Sequence, residues 1–226
     1  MRVLAIDTAL GACSAAVFDS KADEIFASES IAMSRGHAEA LMPLVARVMD
    51  HATLSFHDLD RIAVTVGPGS FTGLRVGISA ARGIALAAGK PAVGISTLSA
   101  FAVPSIARGA TGNVVSAIDA RHDHVYLQVF GIAGEILIPA QIISIPETIR
   151  SVAIEPAILV GSAATVLEAE WPPDAPRPQV EASAAPDIAW VARLGAAAEV
   201  TEALPKPFYL RLPDARPQDA ARLPRR

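Results

Sequence analysis

A chain of 226 residues with 52% apolar and 19% charged side chains has material for one large core or two of roughly 100 residues each, which excludes disorder or coiled coil as its main state. Mean hydropathy is +0.40, yet Arg, Asp, Gly or Pro breaks every apolar stretch before about 18 residues, so no membrane span is expected, and an N-terminus with Asp7 inside its apolar run does not read as a secretory signal. The net charge of −4 offers no overall attraction to nucleic acid, and a cytoplasmic protein is expected.

Residues 2–7 (RVLAID) form an apolar run ending in a carboxylate, and 13–19 (CSAAVFD) and 24–31 follow at about ten-residue spacing as an antiparallel meander. The single cysteine, Cys13, reads as a small buried hydrophobe and excludes an internal disulfide or a multi-cysteine metal site. Ser34 can cap a helix running to about Met49, in which Leu41, Leu44, Val45 and Val48 keep 3.6-residue spacing; Pro43 inside it implies a kink or a later start. Next come a strand at 61–66 (RIAVTV), the turn GPGSFTG, a helix over 72–88 stopped by Gly89 and Pro91, and a strand at 92–96. This β-β-β-α-β-α-β order predicts an α/β unit with a mixed sheet.

The second half opens in the same outline: strand 114–119, a tight turn near Arg121–Asp123, strand 125–130, and a further strand at 135–138. A short helix at 146–151, a strand at 157–160, frequent Pro over 172–178, a helix at 187–199 and an extended, Pro-rich tail from 205 follow. The Gly-, Ser- and Arg-containing stretch 105–113 is the expected junction, dividing the chain into 1–104 and 105–226. Almost no residue identities recur between the halves, so any repeat is architectural.

The sharpest segment is residues 65–89, TVGPGSFTGLRVGISAARGIALAAG. Gly67 and Gly69 permit backbone conformations closed to other residues, Pro68 stiffens the turn, and Ser70 or Thr72 can cap the helix. The segment is either a tight strand-to-helix connection with ordinary capping or an anion site on the N–H groups of the helix start. Asp7 could hold the waters of a magnesium–phosphate and Thr8 could donate to a phosphate oxygen; the alternative for this pair is a capped turn. The candidate phosphate-binding set is Asp7, Thr8, Gly67, Gly69, Ser70 and Thr72. No Lys follows the glycines, so this is no Walker loop.

Along the helix, Arg75, Ser79 and Arg82 share a polar stripe, and Gly73, Gly77, Ala81 and Ala85 a stripe of small residues. A helix this apolar is buried on more than one face, either within its own domain or against a partner. The histidines, His37, His51, His57, His122 and His124, show no metal-binding spacing. No Gly-x-Ser-x-Gly elbow supports a serine hydrolase.

The segments IDTALGACSAAVFD, SRGHAEALMPLV, VGPGSFTGLRVGISAARGIA and PFYLRLPD together resemble the TsaB (YeaZ) family. The resemblance implies an actin-like, sugar-kinase and Hsp70-like fold of two lobes. It implies a role beside the paralogue TsaD, which makes threonylcarbamoyladenosine at position 37 of tRNAs, and beside the ATPase TsaE. TsaD carries a His-x-x-x-His metal pair after the corresponding helix; alignment places Thr97 and Phe101 at those positions, and neither is a transition-metal ligand. The first turn also lacks the Gly-rich phosphate hairpin of working members of the fold. The expectation is a subunit with no catalytic residues, no metal and no cofactor of its own. ATP or a related nucleotide is expected only at the complex interface, and tRNA contact only within the complex.

The expected partner surface is the pair of first-half helices, through Leu41, Val45 and Val48 on 37–50 and Gly73, Arg75, Gly77, Ala81 and Arg82 on 72–88. It would bind TsaD, or a second copy of this chain when TsaD is absent. Residues 205–226 carry a net +4 from six cations and two carboxylates, either a solvated tail or a contact with tRNA phosphates. A sugar-kinase-like phosphotransferase using Asp119 or Asp123 is the alternative, but no adenosine loop accompanies them. A metallopeptidase-like protein fails on the missing ligands.

Overall fold

The computed structural model describes residues 1–211. In the first half, β1 (Arg2–Asp7), β2 (Ala12–Asp19) and β3 (Glu24–Ala32) form the expected meander, followed by α1 (His37–His51), β4 (Arg61–Gly67), α2 (Phe71–Ala88), β5 (Ala92–Ser96) and α3 (Thr97–Ala107). The second half comprises β6 (Asn113–Asp119), β7 (His124–Phe130), β8 (Ile136–Ser144), α4 (Ile145–Val152), β9 (Ala157–Gly161), α5 (Ala164–Ala169), β10 (Gln179–Ala182) and α6 (Ile188–Ala197).

The strands make two sheets ordered β3-β2-β1-β4-β5 and β10-β9-β6-β7-β8. In each, the first strand of the half pairs antiparallel with the second and parallel with the fourth. The architectural repeat is therefore a repeat of sheet topology, and the α/β reading with mixed sheets holds. Ser34 does not cap α1; the helix begins after Gly36, whose φ of 85° starts it in the left-handed region, and it runs on through the exposed Pro43. Ser70 does cap α2, its hydroxyl accepting the Gly73 N–H, and Gly89 at φ 66° ends it.

The division at residue 104 needs correction. α3 leaves the first sheet and packs Leu98, Phe101 and Ala102 against Val114, Ile118, Phe130 and Val160 of the second. α6 returns to the first sheet, where Ile188, Val191 and Ala192 cover Val3, Ala5, Ala63 and Val93. Each sheet has two apolar faces to cover, and the sequence supplies the second cover from the other half. The first lobe is thus 1–96 together with α6, and the second runs from α3 to β10. Gly195 lets α6 approach closely, because a Cβ there would run into Ala63. Arg61 locks it, one guanidinium nitrogen donating to the carbonyls of Gly195, Ala196 and Ala198 at 2.6, 3.2 and 2.6 Å. These are the carbonyls a helix end leaves unpaired.

Candidate functional site

Asp7 closes β1 and is fully buried. Its Oδ1 accepts the Thr65 hydroxyl at 2.5 Å and the Ala9 N–H at 3.0 Å, while Oδ2 has no hydrogen-bond partner among the described residues. Burial pushes the carboxyl above its ordinary value, against the opposing pull of the Thr65 hydroxyl, the Ala9 N–H and the His37 charge. Thr8, also buried, donates its hydroxyl to the Gly73 carbonyl at 2.7 Å. Thr65 was not singled out from the sequence; the available signal was a lone hydroxyl inside the apolar run RIAVTV.

Part of the start of α2 is satisfied from within the chain. The Ser70 N–H donates to the Ala9 carbonyl at 2.8 Å, the Leu74 N–H to the Ser70 carbonyl at 2.9 Å, and the Gly73 N–H to the Ser70 hydroxyl at 3.3 Å. Gly67 has a φ of 115°, and a Cβ on Gly69 would lie 2.5 Å from the Ala9 carbonyl oxygen. The candidate phosphate set is corrected accordingly. Asp7, Thr8 and Gly67 are buried and Gly69 is pressed onto Ala9, leaving Ser70 and Thr72 as the exposed members. The glycines here admit neighbouring backbone rather than an anion, and the geometry is that of a capped turn against a tight strand-to-helix connection.

The expected partner surface also needs correction. Leu41, Val45 and Val48 lie in the first-lobe core. Gly73, Gly77 and Ala81 face inward as well, and a Cβ on Gly77 would run into the Thr8 hydroxyl. Of the eight residues, Arg75 and Arg82 reach solvent. α2 carries a second stripe, Val76, Ala80, Gly83 and Ala87, of which Val76 and Ala80 are half-buried against the core and Gly83 and Ala87 are exposed. Ala80, Gly83 and Ala87, with Met42 of α1 and with Phe56 and His57 of the intervening turn, line an open apolar groove of ≈ 450 Å³. Met42 is 47% exposed and Leu86 85%. Arg75 is engaged by its neighbours: its guanidinium lies 3.8 Å from the Phe71 ring centre, and its Nε donates to the Tyr209 hydroxyl at 3.2 Å.

Thr97 and Phe101 both sit in α3 and are buried, Thr97 with no partner for its hydroxyl among the described residues. No group of three or more His, Cys, Asp or Glu among the described residues is placed to hold a metal ion. His37 meets the Leu10 carbonyl at 3.2 Å, and His124 the His122 carbonyl at 2.6 Å. Asp119 and Asp123 are exposed around the β6–β7 turn, where Asp119 accepts the Arg121 N–H at 2.7 Å. Burial pushes the Cys13 thiol up to about 11, which keeps it protonated and unreactive. Of the basic tail, Lys206 is exposed and Arg211 donates to the Ala120 carbonyl at 3.0 Å; its remaining charged residues lie outside the described residues. No helix among the described residues is long and apolar enough to cross a membrane.

A family model described as TsaD, tRNA N6-adenosine threonylcarbamoyltransferase, matches residues 27–185. The tRNA threonylcarbamoyladenosine biosynthesis protein TsaB of Escherichia coli is 39% identical over 126 residues, 56% of this chain and 53% of that one. Its namesake in Haemophilus influenzae is 36% identical over 126 residues, 56% and 52% of the two chains. The match thus spans about half the length of these curated relatives. Among solved structures, YeaZ from Pseudomonas aeruginosa superposes with a TM-score of 0.77 at 28% identity, over 92% of this chain and 99% of that one. A Bacteroides thetaiotaomicron protein with an actin-like ATPase fold gives a TM-score of 0.51 at 13% identity, over 88% and 96% of the two chains, a likeness of fold alone.

Proposed function

We propose that this chain, which belongs to the TsaD family of tRNA N6-adenosine threonylcarbamoyltransferases and within it to the TsaB (YeaZ) branch, is a non-catalytic subunit in the biosynthesis of tRNA threonylcarbamoyladenosine, supporting a TsaD subunit by direct association. The observation that carries this reading is the pair of residues at the positions aligned with the metal-binding histidines, Thr97 and Phe101, both inside the core. Beside it, the Ala9 carbonyl of the turn after β1 takes the Ser70 N–H at the start of α2. Thr97 and Phe101 offer no transition-metal ligand, and the Ser70 and Gly73 N–H groups of the helix start are already taken within the chain.

The contact with TsaD falls on the outer side of α1 and α2, through Met42, Ala80, Gly83, Leu86 and Ala87. The outward residues of these two helices make the contact, and the inward ones belong to the core. A second copy of the chain uses the same face when TsaD is absent, since a twofold contact is self-complementary. TsaE joins the assembled pair. Nucleotide binds at the complex interface, and tRNA binds the complex rather than this chain.

The test is reconstitution with TsaD, TsaE, tRNA, ATP and the threonylcarbamoyl donor. This chain alone is expected to modify no tRNA and to hydrolyse no ATP. It is expected to co-purify with TsaD and to be required for modification by the mixture. Full modification without it, or turnover by it alone, overturns the proposal.

A further inference from the structure

After α6 the chain passes Leu204 beside Arg82, Leu86 and Lys90 near the C-terminal end of α2, and it reaches the N-terminal end of that helix at Phe208 and Tyr209. There the Phe208 N–H donates to the Val66 carbonyl at 2.7 Å, near the end of β4. The Phe208 carbonyl presses on Gly67, where a Cβ would lie 2.8 Å away. The Tyr209 ring stacks on Phe71 with centroids 5.4 Å apart, and its hydroxyl accepts from Arg75. Two residues on, Arg211 donates to the Ala120 carbonyl in the second lobe.

We propose that residues 205–211 are a clasp that sets the relation of the two lobes, joining β4 and α2 of the first to the β6–β7 turn of the second. One residue, Leu210, separates the stacked Tyr209 from Arg211, so there is little slack between the two attachments. The receiving turn presents its carbonyl for the purpose. Arg121, His122 and Asp123 all have positive φ, and the turn closes through the Ala120 N–H and the His124 N–H, leaving the Ala120 carbonyl for Arg211. Otherwise the chain crosses between lobes at the Ser96–Thr97 junction and through 183–187, where Ser183 donates to Gly161 of the second lobe and Gly11 of the first donates to Ala184. Beside these crossings, Ala100 of α3 packs into the first-lobe core and Leu10 against the second-lobe cluster, so the lobes meet at a buried contact about which they can turn, and the clasp ties them at a further place. Its aromatic side chains remain exposed, Phe208 by 40% and Tyr209 by 38%. A contact of that kind opens at far lower cost than either buried core. The clasp is therefore a releasable tie, and its release frees one lobe to move against the other.

The test uses the full chain carrying spin labels at Glu24→Cys in the first lobe and Glu168→Cys in the second, both exposed, with the buried Cys13 left in place. Dilution with unlabelled protein removes distances between copies. The parent is expected to give one narrow distance distribution. Tyr209→Ala with Arg211→Ala should broaden it or add a second population, and should speed exchange of the Phe208 amide at least about tenfold. Amides of β1 and β6 should keep their protection, which separates release from unfolding. Phe71→Ala, acting from the other side of the stack, should reproduce the effect. An unchanged distance distribution with a released Phe208 amide overturns the clasp, and so does a Phe208 amide still protected in the double variant.

Discussion

The Thr8 hydroxyl donates to the Gly73 carbonyl at 2.7 Å, joining the turn after β1 to the first turn of α2 in a fully buried bond. That approach requires the inward stripe of α2 to be free of Cβ atoms at Gly73 and Gly77, since either would run into Thr8. Gly77→Ala is therefore expected to destabilise the fold by about 1–3 kcal/mol through overpacking. Gly83, six residues on and exposed, would have no heavy atom of the described residues within 4 Å of an added Cβ. Gly83→Ala should stabilise by about 0.5–1 kcal/mol, the ordinary gain of Ala over Gly inside a helix. Urea midpoints of the two variants should move in opposite directions; a shift of the same sign in both contradicts the assigned face.

Asp7 supplies a pH dependence whose sign is fixed. Its carboxyl is raised above the unfolded value of 3.8, so the folded chain binds its proton more tightly than the unfolded chain does. Stability from this group is fully present below pH 3.8 and is lost as pH rises through the raised folded value. Asp7→Asn keeps an oxygen to accept from Thr65 and Ala9 and removes the titration. The difference in Tm between Asp7→Asn and the parent should therefore grow in the variant's favour from pH 4 towards neutrality. A pH-independent difference would mean that the carboxyl is not shifted.

Local chemistry was legible and long-range placement was not. The meander, the Ser70 cap and the Gly89 stop follow from residues within a few positions of one another. Which stripe of α2 faces inward depends on Thr8, 65 residues away from Gly73, and two small-residue stripes at helical spacing look alike in sequence. α3 was missed because TLSAFAVPSIA is apolar all round and holds Pro104, so it shows no period; a helix buried between layers has none to show. The apolar face of α6 was visible as a helix, but nothing in it says which sheet it covers. The contact of Ala9 with the helix start is similarly hidden, since Ala9 contributes only a backbone carbonyl to it.

Arg61, half-buried at the start of β4, is expected to matter for stability. Its guanidinium is the partner of three carbonyls at the end of α6, and α6 covers the outer side of the first sheet. Arg61→Ala leaves those carbonyls unpaired where they are part-buried, and hydrogen bonds from a charged donor are worth about 1.5–3 kcal/mol. A loss of that order in unfolding free energy is expected. Arg61→Lys should recover only part of it, because the lysine side chain is one bond shorter and its ammonium falls short of the place from which the guanidinium nitrogen reaches all three carbonyls. Full recovery with Lys would show that charge near the helix end, rather than the specific geometry, holds α6 in place.

The outer face of α1 and α2 gives the sharpest check on the proposed association. Met42 is half exposed and Gly83 has open space in front of it, so a carboxylate at either position should leave the fold intact. In an interface the same carboxylate would be buried without a partner, which is among the costlier changes a contact can suffer. Met42→Glu and Gly83→Glu should each weaken association with TsaD, and self-association, by more than about tenfold. The comparison is with Leu137→Glu and Ile154→Glu on the second lobe, where the parent residues are 48% and 74% exposed and the surface lies on another face. Those two should bind normally. Circular dichroism confirms folding in all four, and analytical ultracentrifugation with and without TsaD reads the association. If the second-lobe pair weakens binding and the helix pair does not, the partner sits on the β8 and α4 side and the groove beside Met42 is an ordinary surface cleft.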